Sequence, residues 1–151
     1  MRDEARHRLE SLLDSELDVA RQLTETLDAE RAALTGDSPE AVHTLAAHKV
    51  ALLGRLEELE SARRESCREA AVELPPRAAG AGFADGVTAR WNSIMDLMAR
   101  CRSANEVNGY IINVRRNQVR ELIEIVRGGR PAVYGPQGKT SPKALRALAR
   151  A

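Results

Sequence analysis

Residues 87–128 form the most informative stretch of the sequence and read VTARWNSIMDLMARCRSANEVNGYIINVRRNQVRELIEIVRG. It carries the longest helical pattern in the chain, because its seam positions alternate in steps of three and four, as on one face of a coiled-coil helix. The seam positions are Val87, Trp91, Ile94, Met98, Cys101, Asn105, Asn108, Ile112, Arg115, Val119, Leu122 and Val126. The stretch therefore predicts one long helix that packs against other helices through this face.

Two asparagines, Asn105 and Asn108, stand in this seam between apolar positions. An asparagine in an apolar seam lowers stability but fixes the register or the partner of a helix. We expect both side chains to hydrogen-bond across the bundle and fix the register, and leucine at both positions to stabilise the isolated protein. Gly109 follows directly and is either a hinge or a point of close contact, because a helical glycine costs up to about 1 kcal/mol relative to alanine.

Two further helical stretches precede this one. The first, about residues 3–35, is followed by Gly36, and Ser38 and Pro39 then have the order of an N-cap and a first helical residue. The second stretch, about residues 39–73, has an apolar series interrupted by Lys49. Because the connection between the two is short, they form an antiparallel hairpin. The apolar face of the first stretch consists of Leu9, Leu13, Leu17, Ala20, Leu23, Leu27 and Leu34, and that of the second of Val42, Leu45, Leu52, Leu56 and Leu59.

These stretches predict the fold class. A segment rich in proline and glycine, residues 75–82, links the second stretch to the third. The sequence thus predicts an all-α fold, an elongated antiparallel bundle of three long helices at about 3–35, 39–73 and 87–128, with a flexible or short-helical C-terminal tail. Residues 1–128 form the helical bundle domain in this prediction, and residues 129–151 form a tail that binds partners and need not be ordered alone.

The composition agrees with a helical protein of one domain. The chain has 151 residues, of which 43% are apolar, 30% charged and only 3% aromatic, so the core must be built from aliphatic side chains. No apolar run reaches the roughly 18 residues of a membrane span, and the charged start lacks the apolar centre of a signal peptide. We therefore expect a cytoplasmic protein without direct membrane insertion, in which Cys67 and Cys101 are buried thiols.

No motif in the sequence supports catalysis or cofactor binding. Glu4 with His7, and Glu40 with His43, have the spacing of metal ligands in helical bundles, but the antiparallel hairpin places them at opposite ends. The Gly-Lys-Thr of residues 138–140 ends no phosphate-binding loop, because the first glycine of that motif and the preceding strand are missing. We expect a protein that is not an enzyme, with no catalytic residues, no metal and no cofactor.

The last third of the third helix carries more apolar side chains than packing against two neighbours requires. They are Leu97, Ile111, Leu122, Ile123, Ile125 and Val126. This surplus can accept a fourth helix from another protein, although the tail of the chain or a second copy can also cover it. From Arg115 to the end there are nine basic residues and two acidic ones, but without aromatics or a binding motif we expect no nucleic acid as a partner.

The C-terminal third resembles a known family. The Asn-x-x-Asn-Gly of Asn105, Asn108 and Gly109, an apolar helix end, a break, and the segment Tyr134-Gly135-Pro136-Gln137-Gly138 are similar to the flagellar export chaperones of the FlgN type. The resemblance implies a cytoplasmic chaperone that binds the C-terminal helices of hook-associated proteins and prevents their premature assembly. It also implies delivery to the export gate or export ATPase complex, by a monomer or weak dimer.

The candidate residues come from this resemblance and from the apolar surplus. The predicted partner-binding residues are Ile111, Leu122, Ile123, Ile125, Val126, Tyr134, Gly135 and Gly138. The resemblance implicates the segment around Tyr134 in docking to the export gate, whereas a tyrosine that folds back on the bundle would be only a local clasp. Two other functions remain open at this point: a self-associating structural coiled coil, and a helical protein that binds nucleic acid through its basic tail.

Overall fold

The computed structural model of the chain describes residues 2–75 and 85–128, which form three helices. Helix α1 comprises Arg2–Thr35, α2 comprises Pro39–Ala70 and α3 comprises Asp85–Val126. No strand occurs within these described ranges, so the predicted all-α class is confirmed. The tail predicted at residues 129–151 lies outside them.

Contacts along the chain group into two compact units, Met1–Asn108 and Gly109–Ala151. Helix α3 contributes to both units. The boundary between the two units falls directly after the second asparagine of the seam. The division into a bundle domain of residues 1–128 and a partner-binding tail of residues 129–151 stays a prediction, because the tail is outside the described residues.

Within the first unit the helices run up, down and up. Ion pairs join Arg8 near the start of α1 to Glu69 near the end of α2, and Glu30 near the end of α1 to Lys49 in the first half of α2. The two helices are therefore antiparallel. Helix α3 runs parallel to α1, because Asp14 pairs with Arg90 and Thr24 contacts Cys101. Neighbours in sequence are therefore antiparallel, as predicted.

The core of the first unit consists of two aliphatic clusters. One combines Leu9, Leu13, Leu17, Cys67, Val87, Trp91 and Ile94, and the other combines Val19, Leu23, Leu27, Leu52, Leu59 and Cys101. Each cluster draws on all three helices, and Trp91 is the one aromatic side chain in them. Both cysteines are free and buried, as predicted. Burial of one apolar side chain stabilises a fold by about 1.5–3 kcal/mol, so these clusters hold the helices together.

The helix ends correct two details of the sequence prediction. Ser38 is the N-cap of α2 and Pro39 follows it, but the Ser38 side chain makes no capping hydrogen bond. Helix α2 also ends at Ala70, before the predicted residue 73, because Ala71 takes a left-handed conformation with φ 53°. There the amide of Val72 donates to the carbonyl of Cys67 (2.9 Å), which closes the helix as a Schellman motif. Glycine usually occupies this position, so alanine provides no signal of the helix end.

Candidate partner-binding surface

Asn108 is the centre of a buried polar layer in the first unit. Its side chain is 0% exposed. The amide nitrogen Nδ2 donates to the carbonyl oxygen of Leu27 (2.9 Å) and to Oε2 of Glu30 (2.8 Å), while Oδ1 accepts from Nε of Arg31 (3.2 Å). The side-chain amide of Asn108 is thus bonded to three groups of α1. A shift of α3 along α1 would break all three bonds together.

Glu30 extends this layer to the second helix. Its carboxylate is almost fully buried, and Oε1 accepts from Nζ of Lys49 on α2 at 2.8 Å. Lys49 also donates to Oδ1 of Asn105 (3.3 Å), whose residue is exposed at the edge of the layer. Both asparagines therefore hydrogen-bond across the bundle. That they fix the register of α3 remains a prediction, and these bonds support it.

A second polar layer lies further toward the start of α1. Nε of Arg63 on α2 donates to both carboxylate oxygens of Glu16, at 2.8 and 3.2 Å, and its guanidinium stands 4.7 Å from the ring centroid of Trp91. Burial raises the pKa of Glu16 above its ordinary value of 4.5, although the charge of Arg63 and its hydrogen bond act in the opposite direction. Both residues of this ion pair are buried in the bundle.

The sequence prediction missed Glu16, Glu30 and Arg63, although a signal for them is present. In α1, Glu16 and Glu30 occupy steps of three and four between the core leucines, and in α2 Lys49 and Arg63 do the same. Of these four, only Lys49 was expected to interrupt an apolar series. Polar residues at the same spacing in two antiparallel helices predict ion pairs between them, in the way that a polar seam residue specifies a partner.

The seam side chains of α3 are mostly buried before Asn108 and become exposed toward the end of the helix. Val87, Trp91, Ile94 and Cys101 are buried in the first unit, but toward the end of the helix, in the second unit, the seam side chains are exposed. There Leu122 is 61% and Val126 86% exposed. We call the four exposed residues Val119, Leu122, Ile123 and Val126 the α3 stripe. Ordinary surfaces carry isolated apolar residues, whereas a contiguous row of this kind is a candidate binding surface.

The other candidate residues have different surroundings. Ile125 is exposed and lies beside the α3 stripe, about 110° from its centre, and Ile111 is only half-buried. Leu97 is not part of the surplus that the sequence predicted, because it packs against the core cluster of Trp91. Tyr134, Gly135 and Gly138 lie outside the described residues.

Gly109 stands at the start of the second unit, and α3 continues through it. A Cβ atom built at this position would meet nothing within 4 Å. The glycine is therefore not needed for a close contact, which was one of the two roles that the sequence suggested. A role as a hinge stays open to test.

The described part of the chain contains neither a metal-binding cluster nor a membrane-spanning helix. No cluster of three histidine, cysteine or acidic residues there could hold a metal ion. Within the same residues, no helix has the length and apolar character that crossing a membrane requires.

Comparison with known proteins gives one family match. The family model described as FlgN protein matches residues 1–142, which include all three helices and the segment around Tyr134. Neither the comparison with curated proteins nor that with solved structures found a match.

Proposed function

The chain belongs to the FlgN family of flagellar export chaperones, and we propose that it binds the C-terminal helices of hook-associated proteins. A chaperone of this family binds flagellar hook-associated proteins as its clients, so the open questions concern the mode of binding and the delivery of the client. In our proposal, the client helix packs along the α3 stripe.

The observation that carries this proposal is the exposure of the α3 stripe. Its four aliphatic side chains recur at spacings of three and four residues on an exposed helix, which matches the apolar face of an amphipathic partner helix. Burying such side chains contributes about 1.5–3 kcal/mol each, which is enough to drive association once ordering costs are met. Ile111 and Ile125 flank the surface and take a smaller part.

Binding in this mode explains how a chaperone of this size acts. The terminal helices of a client that assembles through them are covered while they lie on α3, so premature assembly is prevented. The chaperone works in the cytoplasm, where the client is synthesised, and passes it to the export gate or the export ATPase complex. We assign no catalytic step and no cofactor to this process.

Co-purification tests the proposed client. The full-length chain, tagged and expressed in its own bacterium, should retain hook-associated proteins, and deletion of their C-terminal helices should abolish retention. The same deletion in a flagellar protein that is not hook-associated serves as the control. If hook-associated proteins without these helices were retained as well as the intact ones, the proposed binding mode would be wrong.

Tyr134, Gly135 and Gly138 form the segment to which we assign docking at the export machinery. A tyrosine next to glycine supplies large, rigid contact area on an adaptable backbone, which is a common form of binding hot spot. Tyr134→Ala should leave client affinity unchanged and reduce client export. Tyr134→Phe, which retains the ring, is the matched control. The assignment would be contradicted if Tyr134→Ala bound the client more weakly but exported each bound client at the normal rate.

A further inference from the structure

We infer that the helix bound by the α3 stripe is acidic along one edge: an amphipathic helix whose apolar face is bordered by aspartate or glutamate. This inference rests on the proposed function and adds the chemistry of the partner to it. It is drawn from the second unit alone, in which both the stripe and its neighbouring charges lie.

Three exposed arginines border the stripe on one side. At about 100° per residue, Arg116, Arg120 and Arg127 lie about 70–110° from the centre of the stripe, and we call these three residues the arginine edge. Arg115 lies in the same row as the stripe, one turn before Val119.

The carboxylates of this part of α3 are placed differently. Glu121 and Glu124 lie about 150° from the centre of the stripe, on the opposite face of the helix. Glu124 can pair with Arg120 or Arg127, which stand four residues before it and three after it, but Arg116 has no carboxylate at either spacing, so the edge keeps a net positive charge. The exposed surface is an apolar row with a positive edge.

Charge opposes two of the candidate occupants of this row, the tail of the chain and an antiparallel second copy. Residues 129–151 of the chain contain five basic residues and no acidic residue, so like charge opposes their packing against the arginine edge. A second copy packed antiparallel on the row would bring the two arginine edges together, with the same repulsion. A foreign helix with carboxylates along the facing edge forms complementary pairs instead. Such pairs set partner choice in coiled coils through the positions that border the apolar seam.

The apolar centre also distinguishes a protein partner from a polyanion. A nucleic acid backbone would use the arginines and leave Leu122, Ile123 and Val126 exposed to water. Helices that lie on anionic membranes carry tryptophan, phenylalanine or leucine on the apolar face, and of these the α3 stripe has only Leu122. An acidic amphipathic helix uses the row and its positive edge together.

A charge-swap experiment tests the inference on the full-length chain. Three designed helical peptides share one leucine face and differ only at the bordering positions, which carry glutamate, glutamine or lysine. At low salt the Glu peptide should bind at least about tenfold more tightly than the Lys peptide, and added salt should narrow the difference. The Gln peptide should bind with intermediate affinity.

Variants of the chain complete this experiment. In Arg116→Glu/Arg120→Glu/Arg127→Glu the order of the Glu and Lys peptides should reverse, because the edge is then negative. The control Arg21→Glu/Arg100→Glu/Arg102→Glu changes the net charge equally at exposed positions of the first unit and should leave the order intact.

The outcomes separate this inference from the proposed function. If hook-associated proteins bind the chain, but the peptides bind equally and the triple variant of the arginine edge retains client affinity, the inference is overturned and the chaperone function stands. If the Glu peptide is preferred while hook-associated proteins fail to bind, the proposed client is wrong and the inference stands. Tighter binding to phosphatidylserine vesicles or to a DNA duplex than to the Glu peptide would overturn the choice of a protein partner.

Discussion

Asn108 places a single buried side-chain amide of α3 against three groups of α1. Its three hydrogen bonds end on Leu27, Glu30 and Arg31, and the Glu30 carboxylate is itself paired with Lys49. A buried carboxylate that loses a hydrogen-bond donor still has the free-energy cost of leaving water, but fewer hydrogen bonds offset that cost. Removal of one member of the polar layer is therefore destabilising, because the others stay buried without their partner.

Asn108→Leu should destabilise the protein by about 2–3 kcal/mol, because it leaves Oε2 of Glu30 and the guanidinium of Arg31 without this partner. Urea denaturation measures the change. Asn105→Leu is the control: Asn105 is exposed and makes one long contact with Lys49, so its loss should cost no more than about 0.5 kcal/mol. A variant Asn108→Leu as stable as the parent would contradict the role of the layer.

The seam pattern alone predicts the opposite sign for leucine at these positions. A polar residue in an apolar seam is expected to weaken packing, so its replacement by leucine is expected to stabilise the helix bundle. This expectation ignores the groups on the facing helix, which the pattern of α3 does not reveal. The carboxylate of Glu30 reverses the expected sign at Asn108. The positions of the polar residues could be predicted from the sequence, but their energetic effect depends on which groups the fold brings opposite them.

Glu16 makes stability depend on pH. Because burial raises its pKa, the folded protein keeps a proton at pH values where the unfolded chain has lost it, so this group's contribution to stability falls as pH rises from about 4.5. The stability advantage of the parent over Glu16→Gln should therefore shrink between about pH 4 and pH 7. Urea denaturation across this range measures it, and an advantage that grows with pH would contradict the assigned direction.

At the scale of the element, α3 is one helix with two environments. Its first part faces the core of the first unit, and its last part carries the α3 stripe in the second. The sequence predicted the helix and its apolar surplus, since both depend only on local spacing. The sequence could not show which of these apolar residues are buried and which are exposed. Leu97 and Leu122 are both leucines in a helical pattern, and they differ only in whether the fold packs other side chains against them.

Gly109→Ala should stabilise the protein by about 0.5–1 kcal/mol, since alanine is the better helix former and its Cβ would meet nothing within 4 Å. Gly54→Ala in α2 is a matched comparison, because that position is also helical and open. Thermal or urea denaturation measures both. If α3 bends at Gly109 in the native state, Gly109→Ala should gain less than Gly54→Ala, and an equal gain would exclude a native bend there.

At the scale of the whole molecule, the two compact units suggest a division of work. The first unit holds the buried polar layers and the aliphatic core, and the second carries the exposed α3 stripe with its arginine edge. Stability and partner binding can then change independently. The family resemblance was readable from residues 105–138, whereas the match extends over residues 1–142.

Titration calorimetry of the full-length chain with hook-associated proteins measures how much of the client affinity comes from the α3 stripe. In the variant Leu122→Ser/Val126→Ser the affinity should fall at least about tenfold, because two apolar side chains that binding would bury are lost. Val50→Ser/Leu53→Ser removes two exposed apolar side chains from α2 and should leave the affinity unchanged. An affinity unaffected by the first variant, or lowered equally by both, would contradict the assignment of client binding to the α3 stripe.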